Sequence, residues 1–248
     1  MGAVYIMWIR QLKRYFRSKS RIAGSLGQPL LFMVAFGFGL GPIFKQAGQG
    51  NYIEFLVPGV IAMTLLFTSI SSGIEIIWDR QFGFLKETLV APVSRLSIMI
   101  GRTLGGASLA VMQGIFVMLL SLIIGFKIIS TGTLLLGLVF MILISITFTA
   151  LGTAIASRMQ DFHGFQLILN FLVMPLFFLS GAMFPVTGLP NAFNIIVKLD
   201  PLSYGVDGLR GALTGTYAFG PAIDLTVLIV IATILTVAGS ILFSKIEI

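Results

Sequence analysis

The chain has 248 residues, of which 57% are hydrophobic and only 10% charged, and its mean hydropathy is +1.03. A charge content so far below that of soluble domains excludes a water-soluble fold. The net charge of +7 comes without the soluble fold and stacking aromatics expected of a nucleic-acid binder, and with no cysteine there is no disulfide framework, thiolate metal site or cysteine nucleophile.

At about 20 residues per bilayer crossing, the length accommodates roughly six membrane helices with short loops. An all-α polytopic membrane protein is predicted, with an interface helix over 1–23 and a transmembrane domain over 24–248. In residues 4–21, Val4, Tyr5, Trp8, Ile9, Leu12, Tyr15 and Phe16 fall on one helical face, and Arg10, Lys13, Arg14, Arg17 and Arg21 on the other. Such a helix is expected to lie in the membrane surface, its basic face meeting anionic headgroups or a cytoplasmic partner. Basic residues spread through a helical stripe, with no short apolar core and small-residue cleavage site, do not form a cleavable signal peptide.

Apolar runs predict spans over 24–43, 55–77, 104–126, 133–156, 165–184 and 222–243. In the second, Thr64, Thr68, Ser71 and Glu75 recur at helical spacing, as do Ser145, Thr149, Thr153 and Ser157 in the fourth. These stripes line a pathway or let helices pack closely and hydrogen-bond. Glu75 is the one acid well inside a span, and an intramembrane acid is a functional candidate by default. Its position about one turn before Trp78 favours snorkelling to water or a pair with Arg80. Gly101 and Gly105 form a GxxxG suited to packing.

The segment 78–97 is a charged, turn-punctuated island. Asp79, Arg80, Lys86 and Glu87 keep it out of lipid, while Phe82, Phe84 and Leu85 are too apolar to be left bare, so a soluble partner is expected to dock there. Beyond the fourth span His163 stands beside Asp161 and Arg158 as an interfacial residue; one histidine builds neither a two-histidine metal motif nor a histidine relay. The stretch 185–221 is too apolar and too rich in Pro and Gly for a solvated loop and is expected to dip back into the bilayer. Pro175 is expected to kink the fifth span.

Twelve of the 16 Lys and Arg fall in the amino-terminal segment, the second loop, the fourth loop and the tail; only Lys45, Lys127, Lys198 and Arg210 fall opposite. The positive-inside rule then places both termini and the island in the cytoplasm of a cell-membrane protein. No Gly-x4-Gly-Lys-Ser/Thr phosphate loop occurs, so a transport function would draw its energy from another chain.

Several ordered motifs carry a resemblance: Gln28-Pro29, Tyr52-Ile53-Glu54-Phe55-Leu56-Val57-Pro58-Gly59, Gly83-Phe84-Leu85-Lys86-Glu87-Thr88-Leu89 with Ala91-Pro92-Val93-Ser94, and Gly101-Arg102. A second block holds Pro175, Phe178-Leu179-Ser180-Gly181, Phe184-Pro185, Leu189-Pro190, Asp200-Pro201-Leu202-Ser203-Tyr204, and Asp207 with Arg210. In order and spacing the chain resembles the membrane subunit of ABC-2 type ATP-binding-cassette exporters, in their drug-resistance and nodulation-factor branch. The resemblance implies a non-enzymatic half transporter that pairs with a second membrane subunit, expected to be an identical copy, and with ATPase subunits that carry ATP and Mg. It further implies that the island forms a coupling helix and that 185–221 forms re-entrant helices at the external face. There Ser180, Gly181, Pro185, Tyr204, Asp207 and Arg210 cap the pathway or anchor the element. The expected cargo is an amphipathic drug, a lipid or a lipid-linked glycan. An ion-coupled secondary transporter or channel subunit is the alternative; the first would be expected to carry more buried ionisable residues and an internal repeat.

Overall fold

The computed structural model describes residues 2–46, 50–90, 92–129, 131–186 and 190–244. The elements are α1 (Gly2–Arg17), α2 (Lys19–Gln46), α3 (Tyr52–Ser71), α4 (Ile74–Gln81), α5 (Phe84–Val90), α6 (Arg95–Ile123), α7 (Leu134–Arg158), α8 (Phe162–Leu179), α9 (Asn191–Leu199), α10 (Pro201–Thr214) and α11 (Pro221–Ser244), with no strand among the described residues. Six helical stretches are long and apolar enough to cross a membrane: Gly24–Gln46, Tyr52–Gln81, Arg95–Ile123, Leu134–Arg158, Phe162–Leu179 and Pro221–Ser244. The protein is an all-α, multi-pass membrane protein.

The third span begins at Arg95, well before the expected 104, because Ser94 caps it: its hydroxyl accepts from Ser97 N at 3.2 Å, and the helix starts in polar sequence before the apolar run. Asn51 and Asp161 start α3 and α8 in the same way. The fifth span stops at Leu179, short of 184, where Ser180 ends the helix and Gly181 turns left-handed at φ +74°. Pro175 lies inside α8, and the helix continues past it.

The helix Tyr52–Gln81 is the axis of the core. α3 packs against α2, α6, α7 and α10, and its stretch from Leu56 to Leu66 is buried throughout. Gly59 makes one of these contacts possible, since a Cβ there would stand 2.1 Å from the carbonyl oxygen of Ala182. By contrast α2, α8 and α11 lie at the rim and turn Leu31, Phe38, Phe171 and Ile234 outward, as spans facing lipid or another membrane chain do.

α1 is docked on the helix bundle. It packs lengthwise on the first half of α6, with Val4 and Met7 against Gly101, Gln11 against Gly105, and Trp8 Nε1 donating to Ser108 Oγ at 2.9 Å. The GxxxG is therefore a docking track for α1, as a Cβ on Gly105 would lie 2.1 Å from Gln11 Oε1. Gln11 and Tyr15 form its buried face, while Tyr5 and Phe16 of the expected apolar face are exposed. α9 and α10 are each too short to cross the bilayer. They meet at Asp200, whose carboxylate caps α10 by accepting from Leu202 N at 2.9 Å. α10 is mostly buried against α3, α7 and α11.

Candidate functional site: a charge hub, a cavity and a capped end

The chain just ahead of α5 is clamped on two sides. Asp79, buried on α4, accepts from Arg102 on α6 and from Arg10 on α1 at 3.2 Å, with Arg14 at 3.9 Å. The Arg14 guanidinium sits 5.5 Å over the Trp78 ring, which stacks on Phe162 of α8. The next residue points elsewhere: Arg80 donates to the carbonyls of Met159 at 2.6 Å and Ser157 at 3.1 Å, beyond and within the end of α7. Two consecutive residues thus tie the root of α5 to α1, α6 and the α7–α8 junction.

This geometry divides the residues of the expected docking surface by exposure. Asp79 and Leu85 are buried and Arg80 is occupied with α7, so these three serve the chain's own packing. What faces outward is Phe82, 72% exposed, Phe84, 51% exposed, and Glu87. The side chain of Lys86 lies outside the described residues. Glu75 is buried and lines a small void together with Arg10, Gln11, Arg14, Asp79 and Arg102. Arg80 donates to the carbonyls of Ser157 at the end of α7 and of Met159 just beyond it. Arg102, read from sequence as a loop charge, turns out to be the buried counter-ion of the hub. Its signal was its place at the edge of an apolar run, where an unpaired arginine is costly.

The structure separates the two polar stripes. Thr64, Thr68, Ser71 and Glu75 all line one cavity of about 350 Å³, together with Tyr15, Gln28, Trp78 and Gln113. A hydrogen-bond chain crosses its wall: Thr68 donates to Gln113 Oε1 at 2.6 Å, Gln113 donates to the Tyr15 hydroxyl at 3.0 Å, and that hydroxyl meets Ser25 Oγ at 3.3 Å. Four helices share this chain, which sequence reasoning missed because Gln113 and Tyr15 stood outside the stripes. Ser145, Thr149 and Thr153 on α7 are buried in helix contacts and do not line the cavity of the α3 stripe. Ser145 donates back to the Met141 carbonyl. Packing accounts for that stripe.

At the opposite end of α3 a second cavity of about 390 Å³ is lined by Glu54, Phe55, Pro185, Asp207 and Arg210 among others. Arg210 donates to the Gly181 carbonyl at 2.8 Å and lies 4.0 Å over the Phe55 ring, and burial pulls it down to about 10. Asp207 accepts from the amides of Ala218 and Phe219 at 2.7 and 2.8 Å. The Tyr204 hydroxyl donates to the Lys198 carbonyl at 2.8 Å and its ring meets Phe219. Ser180 donates to the Phe177 carbonyl. Asp207 and Arg210 interact electrostatically while accepting from and donating to separate backbone segments, Asp207 tying α10 to the α10–α11 loop and Arg210 tying it to the end of α8. Between the two cavities α3 is buried from Leu56 to Ala62.

Six apolar spans, with the short helices α9 and α10 before the last one and α5 between the second and third, define a polytopic helical membrane subunit. Residues 2–214 match the ABC-2 type transporter family, and the chain belongs to it. It is 32% identical to "Putative transport permease ycf38" of Cyanophora paradoxa over 81% of this chain and 69% of that protein. It is 29% identical to the protein of the same name from Porphyra purpurea, over 84% and 72%. Its likeness to "Nodulation protein J" of Sinorhizobium fredii is 26% over 91% of this chain and 88% of the other.

Proposed function

We propose that the chain is the membrane-spanning half of an ATP-driven exporter in the cell membrane, with both termini and α5 in the cytoplasm. An ATP-binding-cassette ATPase, carrying the ATP and Mg, docks on Phe82, Phe84 and Glu87. A second copy of the chain completes the permease against the outward apolar faces of α2 and α8. The observation that carries this reading is the pairing of two exposed aromatics, Phe82 just ahead of α5 and Phe84 at its start, with a root tied down by Asp79 and Arg80. A partner pulling on α5 moves α1, α6 and the α7–α8 junction through Asp79 and Arg80. The Thr64–Glu75 cavity receives an amphipathic drug, lipid or lipid-linked glycan on the α5 side, and the cavity at Arg210 releases it on the other, with α3 closing the path between.

The test is reconstitution in vesicles with and without the candidate ATPase, following ATP hydrolysis and transport side by side. The purified chain alone is expected to hydrolyse no ATP, and the pair to couple hydrolysis to export. Vanadate-sensitive hydrolysis by the isolated chain, with contaminating ATPase excluded by mass spectrometry, would refute it.

A further inference from the structure

Arg10 and Arg14 serve two surfaces at once. Both reach inward to Asp79, yet their side chains remain 40% and 38% exposed. On the outer side of α1 they join Lys13 and Arg17 in an open groove whose remaining walls are Tyr5, Ile6 and Ile9. Among the described residues no acid lines that groove. Lys13 and Arg17 are exposed, as are Tyr5 at 59% and Ile6 at 64%. Four cations beside exposed apolar side chains match one kind of partner, a negatively charged head on an acyl chain. α1 also leads through Ser18 into α2, whose apolar span starts at Gly24, which puts the groove close to where the chain would enter the bilayer.

We propose that the α1 groove binds the phosphate of an anionic phospholipid, caught by Lys13 and Arg17 and competing with Asp79 for Arg10 and Arg14. The competition is possible because a half-exposed ion pair is weak, whereas Arg102 stays buried on Asp79 and keeps it compensated when the other two turn outward. Headgroup occupancy then loosens α1 from the root of α5. The inference needs only the membrane location of α1 and does not depend on an ATPase partner, so its failure leaves the proposed function standing.

Native mass spectrometry of the purified chain with phosphatidylglycerol and phosphatidylcholine of identical acyl chains reads the site. Wild type is expected to retain phosphatidylglycerol preferentially, and Lys13→Gln with Arg17→Gln to cut that preference roughly thirty-fold. A control with the same change of charge, Lys45→Gln with Lys198→Gln, is expected to leave it intact. Equal retention of both lipids by wild type, or equal loss in the control, would overturn the site. Excess inorganic phosphate is expected not to displace the lipid; displacement would assign the groove to free phosphate and overturn a lipid site. In a Trp8→Phe background, phosphatidylglycerol should shift the Trp78 emission as Arg14 leaves its ring, and an unchanged emission would overturn the competition with Asp79. Retention of preference by Lys13→Gln with Arg17→Gln would likewise end the proposal.

Discussion

Arg102 on α6 donates to Asp79 on α4 with both side chains almost fully buried, so a buried ion pair lies about one turn before the helix that faces outward. A buried carboxylate needs its counter-ion far more than a surface one does, since removing one partner leaves a bare charge out of water. Asp79→Ala and Arg102→Met should each lower stability by about 3–5 kcal/mol, read as a fall in unfolding temperature in detergent. Arg10→Gln, which removes a half-exposed contact, should cost no more than about 1 kcal/mol. Equal losses for Arg10 and Arg102 would show that the hub is not graded by burial.

Neighbouring residues of α5 should give opposite phenotypes. Leu85 is 3% exposed and Phe84 51%. Leu85→Ala should destabilise the subunit by about 2–5 kcal/mol through the cavity it leaves, whereas Phe84→Ala should leave its unfolding unchanged and weaken association with the ATPase. Burying a Phe is worth about 1.5–3 kcal/mol, so the apparent affinity should fall by one to two orders of magnitude, measured by pull-down or titration of ATPase activity. If Phe84→Ala binds its partner and transports like wild type, the coupling role of α5 is wrong.

Orientation can be tested because the native chain has no cysteine. Single cysteines at position 86 and position 45 should label oppositely with an impermeant thiol reagent in intact cells, with position 45 reactive and position 86 protected until the membrane is opened. External labelling at position 86 alone would reverse the topology. The charge bias that motivates the test also explains why Arg102 counts differently from its neighbours, as its charge is consumed inside the protein by Asp79.

The six spans were legible in the sequence because a bilayer imposes length and apolarity on every crossing. The start of α6 was not, because a serine cap and a polar first turn extend the helix ahead of its apolar run. The hub was illegible for a different reason. Arg10 and Asp79 are 69 positions apart and Asp79 and Arg102 are 23 apart, so no local pattern joins them. Leu85 read as exposed because a seven-residue helix, Phe84–Val90, is too short for its period to reveal a buried side. Both polar stripes looked alike in one dimension, and only the neighbours of each helix distinguish a wall from a seam.

That distinction yields a prediction with two arms. Ser71 faces the cavity on α3, so Ser71→Trp should occupy space the proposed cargo needs, without disturbing a buried contact. Export by the reconstituted transporter should fall at least about tenfold, the effect of some 1.4 kcal/mol on the transport barrier, while ATPase association and unfolding temperature stay near wild type. Thr149 on α7 is fully buried, and its hydroxyl has no hydrogen-bond partner among the described residues. Thr149→Val removes that buried polar atom at nearly constant volume, which should leave stability equal or raise it by about 1 kcal/mol and leave export unchanged. Export measured for both variants in the same vesicles decides the matter. Normal export in Ser71→Trp together with lost export in Thr149→Val would move the pathway from the α3 cavity to the α7 seam.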